Sequence, residues 1–458
     1  MKQKIYEILE QAIIKLSTNY DIKNIIEIEL VNTKNLAHGN YTSNIALKLA
    51  SKITEKSAQE IAQEIIKIIA TNKQSNVLLQ KIVTAGPGFI NFYLQDPSEV
   101  ITRILNNPME FSTINYGNQE KILLEFVSSN PTGPLHVGHG RHAAYGMTLA
   151  NILKQVGYNV SCEYYINDSG RQIHILTLSV WLRYLQQSNL LITLPENAYQ
   201  GKYIIEIAKI LREKYQNKFM KITDEFKILL YTETFENVDS YIDLLSKQCR
   251  KLLNGDYEII YNFAKDYILR DMKDDLAEFN IIFDNWFSEQ SLFANNAINN
   301  VIKELKDKSF LYEKEGALWF KSTDFGDSKD RVLVRQNGEN TYFANDIAYH
   351  LSKFKRGFNK IIDVLGADHH GYAPRLQAAM QALGAPKDFL TVKFIQTVSL
   401  YAAKEKLQMS TRKASFVTLR ELRKEVGNDV ARFYYIMRKE SQTMDFDLEL
   451  AKAQSNNN

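Results

Sequence analysis

The stretch 122–166 constrains the fold of this chain more than any other. It passes from an apolar strand over 122–127, through the loop SSNPTGPLHVGHGR, into a helix over about 141–156 and a second strand over 158–166. Gly157 stands where helices commonly close on a left-handed residue. Strand, helix and strand within about 45 residues form a βαβ crossover, whose two strands lie parallel. The expected fold class is α/β with a parallel sheet.

The rest of the chain is organised around that unit. Strand–helix alternation resumes with RVLVR, a helix from Ala344, KIIDVLG, a helix from Gly371 and FLTVKFIQTVSL. Between the two parts, 169–253 reads as long helices and 255–322 as mixed, closing on the hairpin-like FLYEKEGALWFKST. We read about 169–322 as an insertion into the sheet. The first 110 residues read as a smaller α/β unit. Its N-terminal helix carries a stripe of Ile5, Ile8, Leu9, Ala12, Ile13 and Leu16. A short strand follows at Ile25, Ile26, Ile28 and Leu30, then the helix SAQEIAQEIIKIIA and two strands hinged at Gly86-Pro87-Gly88. A polar linker runs from Asn106 to about Gln119, and the tail from Phe416 reads as helical. The expected domains are 1–110, 118–415 with its insertion, and 416–458.

A chain of 458 residues exceeds one ordinary domain. Its net charge of +3 is too small to argue for nucleic acid by itself. Cys162 and Cys249 stand far apart with no metal-ligating neighbours, which excludes a disulfide framework and favours a reducing compartment. No apolar run reaches a membrane span, and Glu7 and Glu10 interrupt any targeting segment. A cytoplasmic protein is expected.

The chemistry starts at Pro134-Leu135-His136-Val137-Gly138-His139-Gly140. Two histidines three apart, where a strand hands over to a helix N-terminus, can serve an anion. Gly138 and Gly140 would let a purine or phosphate approach the backbone, and both rings can donate to phosphate oxygens in a transition state. Other readings stay open here. His136, His139 and His142 could form an ordinary helix face or bind a metal. Gly138-x-Gly140-x-x-Ala143, with Glu163 about twenty residues on, loosely matches a dinucleotide fingerprint and hence an NAD-dependent oxidoreductase. A second element favours a nucleoside triphosphate: from Lys404 to Lys424 seven Lys/Arg face two Glu.

HVGH after a first strand, with the late loop Met409-Ser410-Thr411-Arg412, resembles the two signatures of class I aminoacyl-tRNA synthetases. EFVSSNPTGPLHVGHGRHAAYG, FANDIAYH, GADHHGYAPRLQAA, QMSTRKASFVTL and DVARFYYIMR are similar to the arginyl-tRNA synthetase family. HGNYTSNIALKLA and AGPGFINFYL resemble that family's N-terminal domain. The resemblance implies a Rossmann-like catalytic domain, a tRNA-contacting N-terminal domain, and the start of a helical anticodon-binding domain at 416–458, most of which the chain would lack. It implies a monomer that uses ATP, Mg2+ carried with it, L-arginine and tRNA(Arg), with tRNA needed even for activation. His136, His139, Met409, Ser410, Thr411 and Arg412 would be catalytic, and no metal site is expected. The nucleotide would meet Asn130, Pro131, Thr132, Gly133, Pro134, Leu135, His136, Val137, Gly138, His139, Gly140 and His369. Glu125, Tyr342 and Asp346 would hold the arginine side chain and Asn130 its carboxylate end.

The chemistry of the two acids agrees with such a substrate. A buried carboxylate needs a cationic partner, and a guanidinium offers five donors in one plane. An internal salt bridge for Glu125 and a first-turn helix acid at Asp346 are the competing readings. The chain departs from the family at Gln408, where lysine is frequent. Lys406, Arg412 or Lys413 would supply the charge. An inactive tRNA-binding relative is the remaining alternative.

Overall fold

The computed structural model describes residues 2–18, 20, 27–71, 78–95, 97–107, 115–188, 190–231, 237–369, 371–402, 405–406 and 417–453. The chain divides into two compact units, Met1–Thr113 and Ile114–Asn458.

In the first unit, α1 (Lys2–Ser17) buries Ile5, Ile8, Leu9, Ala12 and Leu16. Strands β1 (Leu30–Asn32), β2 (Tyr41–Ser43), β3 (Leu79–Ala85) and β4 (Phe89–Leu94) form an antiparallel sheet ordered β1-β2-β4-β3. The first strand starts only at Leu30. Ile28 precedes it, and Ile25 and Ile26 lie outside the described residues. Helices α2 (Ile45–Ala50), α3 (Ala58–Ala70) and α4 (Pro97–Asn106) complete the unit. A reciprocal cap sets the start of α3: Ser57 Oγ accepts from the Glu60 N–H at 3.3 Å, and the Ser57 N–H donates to the Glu60 carboxylate at 2.8 Å.

The second unit opens with β5 (Lys121–Glu125), α5 (Val137–Gln155) and β6 (Asn159–Ile166). Helices α6 (Arg171–Gln186), α7 (Lys202–Tyr215), α8 (Asp224–Leu230), α9 (Val238–Leu253) and α10 (Tyr257–Glu278) follow. Next come β7 (Asn285–Ser288), α11 (Gln290–Ala294), α12 (Ala297–Asp307), β8 (Leu311–Lys314), β9 (Ala317–Phe320) and β10 (Arg331–Val334). The chain continues through α13 (Tyr342–Lys355), β11 (Lys360–Gly366), α14 (Ala373–Ala382), β12 (Leu390–Ile395), β13 (Val398–Ala402) and β14 (Glu405–Lys406). It closes with α15 (Leu419–Val426), α16 (Asn428–Met437), β15 (Met444–Asp447) and α17 (Leu448–Lys452).

Five strands form the parallel sheet, ordered β12-β11-β5-β6-β7. It is covered on both faces, and β5 shows why. Ile122 and Leu124 join the core under α5 and α6, whereas the intervening Leu123 joins the core under α13 and α14. Alternate residues of a strand point to opposite faces.

Four expectations are corrected. The span 169–322 is not all insertion, because β7 pairs with β6 as an edge strand of the main sheet. RVLVR belongs instead to an antiparallel meander of β8, β9 and β10. The tail is not only helical, since β15 pairs with β13 in a third sheet. Finally, α5 begins at Val137 and α13 at Tyr342. The histidine pair therefore belongs to a helix start, and Asp346 sits in a second turn rather than opening its helix.

Candidate active site

Two cavities open at the carboxyl ends of the parallel strands, the edge where open α/β sheets bind ligands. The first, about 310 Å3, is lined by Ser129, Asn130, Thr132, Gly133, Pro134, His136, His139, Gln172, Tyr199 and Tyr203. The loop that builds it leaves β5 through two left-handed residues, Val127 at φ 68° and Ser128 at φ 40°. Such strain in non-glycine residues costs about 1–3 kcal/mol each and gathers at functional sites. Tyr203 then holds the loop from outside, its hydroxyl donating to the Thr132 carbonyl at 2.8 Å.

His136 is the N-cap of α5. Its Nδ1 accepts from the Gly138 N–H at 3.1 Å, and His139 Nδ1 accepts from the His136 N–H at 3.2 Å. Each neutral ring must therefore carry its proton on Nε2. The rings stack with centroids 3.7 Å apart. Burial pushes His136 down to about 4 and, with His136 and His142 nearby, holds His139 well below the ordinary histidine value. Both are neutral hydrogen-bond donors at neutral pH.

The second cavity, also about 310 Å3, has walls of another character. Glu125, Glu289 and Asp346 line it with Tyr165, Asn167, Tyr342, His369 and Tyr372. Burial raises the Asp346 carboxyl to about 6; the Tyr372 hydroxyl donated to it and nearby His350 oppose the shift, while Glu125 and Glu289 add to it. Glu289 is buried, and its Oε2 has no protein partner. Asn345 Oδ1 is likewise buried and unpartnered. An orphaned buried carboxylate oxygen beside an acid raised by burial leaves negative charge on this wall that a cation would offset. Asp168 fixes this segment: its carboxylate accepts from the Ser288 hydroxyl at 2.7 Å and the Gln290 N–H at 3.1 Å, on either side of Glu289.

Of the residues singled out in the sequence, Asn130, Thr132, Gly133, Pro134, His136 and His139 line the first cavity, and Glu125, Tyr342, Asp346 and His369 the second. Glu125 has an internal partner: its Oε2 accepts from Lys353 Nζ at 2.6 Å. Leu135 and Val137 are core residues, and Pro131 is buried. Gly140 faces protein rather than ligand, because a Cβ there would come within 2.7 Å of the Tyr435 hydroxyl and 2.8 Å of Leu419. Gly138 is needed under the His136 ring, 2.9 Å from such a Cβ. The two glycines are thus committed to packing, which removes the dinucleotide fingerprint. Met409, Ser410, Thr411 and Arg412, with Lys404, Gln408, Lys413 and His370, lie outside the described residues. The residues just after that loop are tied to the histidine segment: the Leu419 N–H donates to the Leu135 carbonyl at 2.8 Å, and Thr418 bridges His136.

Sequence reasoning missed Glu289, Tyr165, Asn167 and Tyr372 on the acid side and Gln172, Tyr199 and Tyr203 on the histidine side. A signal for Glu289 existed: it directly follows FS at the end of a short aromatic strand, the position from which parallel sheets present ligand groups.

Comparison with known proteins identifies this architecture. Residues 100–455 match the family described as "tRNA synthetases class I (R), catalytic domain", and residues 3–94 match "Arginyl tRNA synthetase N terminal domain". An arginine–tRNA ligase of Legionella pneumophila (strain Corby) is 48% identical over 465 residues, covering 100% of this chain and 78% of the relative. One of Coxiella burnetii (strain RSA 493 / Nine Mile phase I) is 45% identical over the same span, again covering 100% and 78%. The Thermus thermophilus arginyl-tRNA synthetase structure shares the fold, with a TM-score of 0.65 at 18% identity over 99% of this chain and 78% of that one. The chain belongs to the arginyl-tRNA synthetase family of class I aminoacyl-tRNA synthetases.

Proposed function

We propose that the two cavities hold the two small substrates of an arginine–tRNA ligase, ATP against the histidines and L-arginine against the acids. The observation that carries this reading is the second cavity, whose four carboxylates, Glu125, Glu289, Asp346 and Asp363, include one orphaned oxygen and one raised acid. Lys353 already pairs Glu125 and Asp363, which leaves Asp346 and Glu289 for a planar cation. Asp346 and Glu289 pair with the guanidinium, Tyr342 closes over it, and Asn130, on the histidine side, takes the carboxylate end.

The arginine carboxylate attacks the α-phosphorus of ATP, and pyrophosphate leaves. The protein contributes position and charge stabilisation, with no covalent intermediate on the enzyme. His136 and His139 donate through Nε2 to oxygens whose charge grows in the transition state. Neutral rings suit this task, because they donate without needing a proton from solvent. Met409, Ser410, Thr411 and Arg412 flank the phosphates, a placement supported by the tie between Leu419 and Leu135. Mg2+ arrives with ATP as part of the substrate. The activated arginine then passes to the 3′-terminal ribose of tRNA(Arg), with the N-terminal unit contacting the tRNA. We read the protein as a cytoplasmic monomer; no helix among the described residues is long and apolar enough to cross a membrane.

Charging of tRNA with each of the twenty amino acids in turn tests this. Arginine alone should be esterified. Charging with another amino acid, or with none, would overturn the assignment.

A further inference from the structure

A buried polar seam lies under α13. Glu163, Glu125 and Asp363 stand abreast on β6, β5 and β11, with Glu125 in register with both neighbours. All three are buried. Three adjacent carboxylates in a sheet interior are unfavourable unless each is paired. One segment supplies the basic partners of all three. His350 Nε2 lies 2.6 Å from Asp363 Oδ2, and the Arg356 guanidinium grips Glu163 at 2.5 and 2.9 Å. Between them Lys353, with 0% exposure, donates to Glu125 at 2.6 Å and to Asp363 at 2.9 Å. Burial alone would lower the Lys353 ammonium; Asp363, Glu125 and Glu163 outweigh it and hold it above the ordinary lysine value.

The seam reaches both cavities. His350 Nδ1 is 2.8 Å from the Asp346 carbonyl oxygen. Glu125 Oε1 accepts from the Ser128 hydroxyl at 2.9 Å, and Ser128 Oγ accepts from the Tyr165 N–H at 3.1 Å. A continuous set of polar contacts thus runs from the strained turn before Asn130, through Glu125, Lys353, Asp363 and His350, to the helical turn that bears Asp346.

We propose that Lys353 is a positioning residue for the amino acid: by tying Glu125 to Asp363 it fixes the face that α13 turns to the sheet, and so aims Asp346 and Tyr342 into the acid-walled cavity. This rests on the reading that arginine occupies that cavity. Lys353 lines neither cavity, and its removal leaves Glu125 and Asp363 without the ammonium they share.

The test is ATP–pyrophosphate exchange by the full chain with tRNA present, for the unsubstituted protein, Lys353→Met and Lys353→Gln. KM is measured for arginine and for ATP, and kcat/KM for arginine is followed from pH 5 to 8. In Lys353→Met the arginine KM should rise roughly tenfold or more while that of ATP stays within about twofold, as for a misplaced binding group. The titratable groups that line the cavity with Asp346 are Tyr342, Tyr349 and His350 on its own helix, Tyr372 and His369 from around α14, Glu125 from β5, Tyr165 from β6, Asp363 from β11 and Glu289 after β7. With Glu125 unpaired, the acid limb of kcat/KM should move up by about half a pH unit or more. Lys353→Gln retains N–H donors and should show a smaller KM change with the same limb shift. A folded variant with unchanged arginine KM and limb would overturn the proposal, as would equal rises for both substrates. Failure of both variants to fold would make Lys353 a scaffold residue and count against it too. Absence of arginine-dependent exchange in the unsubstituted protein would instead sink the reading of the cavity.

Discussion

Asp346→Asn should strengthen the empty protein while crippling its use of arginine. The Asp346 carboxyl stands at about 6 in the folded chain against an ordinary 3.8, chiefly through burial. The folded state therefore holds this proton more tightly than the unfolded state. Stability from this group is full below about pH 4, falls as pH rises, and is lost above about pH 6. A shift of about two units at about 1.4 kcal/mol each makes the loss roughly 3 kcal/mol at pH 7.5. Asparagine keeps the shape and an acceptor for the Tyr372 hydroxyl but carries no charge. The variant should therefore melt several degrees higher at pH 7.5 and together with the unsubstituted protein near pH 4. In pyrophosphate exchange, leaving a buried guanidinium half paired should cost about 2–5 kcal/mol, so the arginine KM rises by roughly 30-fold or more with little change for ATP. In the unsubstituted protein kcat/KM for arginine should fall about tenfold per unit below about pH 6, and this limb should vanish in the variant. A variant less stable at pH 7.5, or one that loses ATP and arginine equally, would refute the reasoning.

His136→Ala or His139→Ala should lower the activation rate by roughly 10²–10³-fold, the usual loss for one transition-state donor. Loss of the cap at His136 should also cost about 0.5–2 kcal/mol of stability, read by thermal melting. At saturating arginine the rate should show no histidine-type ionisation between pH 6 and 8, because burial keeps both rings neutral there. Glu289→Gln should raise the arginine KM roughly tenfold or more with the ATP KM unchanged, measured by the same exchange assay. Gly140→Ala should destabilise by about 1–3 kcal/mol through its clash with Tyr435 and Leu419, yet leave nucleotide affinity intact once the protein is folded.

The parallel sheet and the histidine pair were legible because each is a local pattern. A strand, a glycine-rich loop and a glycine-closed helix follow one another without a gap, and His136 and His139 meet across a single helical turn. What escaped depends on partners far away in the chain. For Glu125 the sequence leaves an arginine ligand and an internal salt bridge both open, because the partner Lys353 lies 228 residues on and meets it only after β5 and α13 pack. The strand β7 has four residues and follows five helices, so its place at the sheet edge left no periodic trace, and Glu289 was lost with it. Gly140 was misread for a related reason. A glycine at a helix start suits either a ligand or a neighbouring helix, and Tyr435, which occupies that space, belongs to α16. The seam under α13 was hidden in the same way, since His350, Lys353 and Arg356 alone describe an ordinary solvated helix face.

The most direct test of the account is exchange of labelled pyrophosphate into ATP by the unsubstituted protein, with arginine, lysine or citrulline, and with and without tRNA(Arg). Arginine with tRNA should support exchange. Lysine, which lacks the planar fork, and citrulline, which lacks the charge, should not, and omission of tRNA should abolish the signal. Exchange supported equally by citrulline would contradict the central claim, because it would show that the carboxylates around Asp346 and Glu289 do not read a cation.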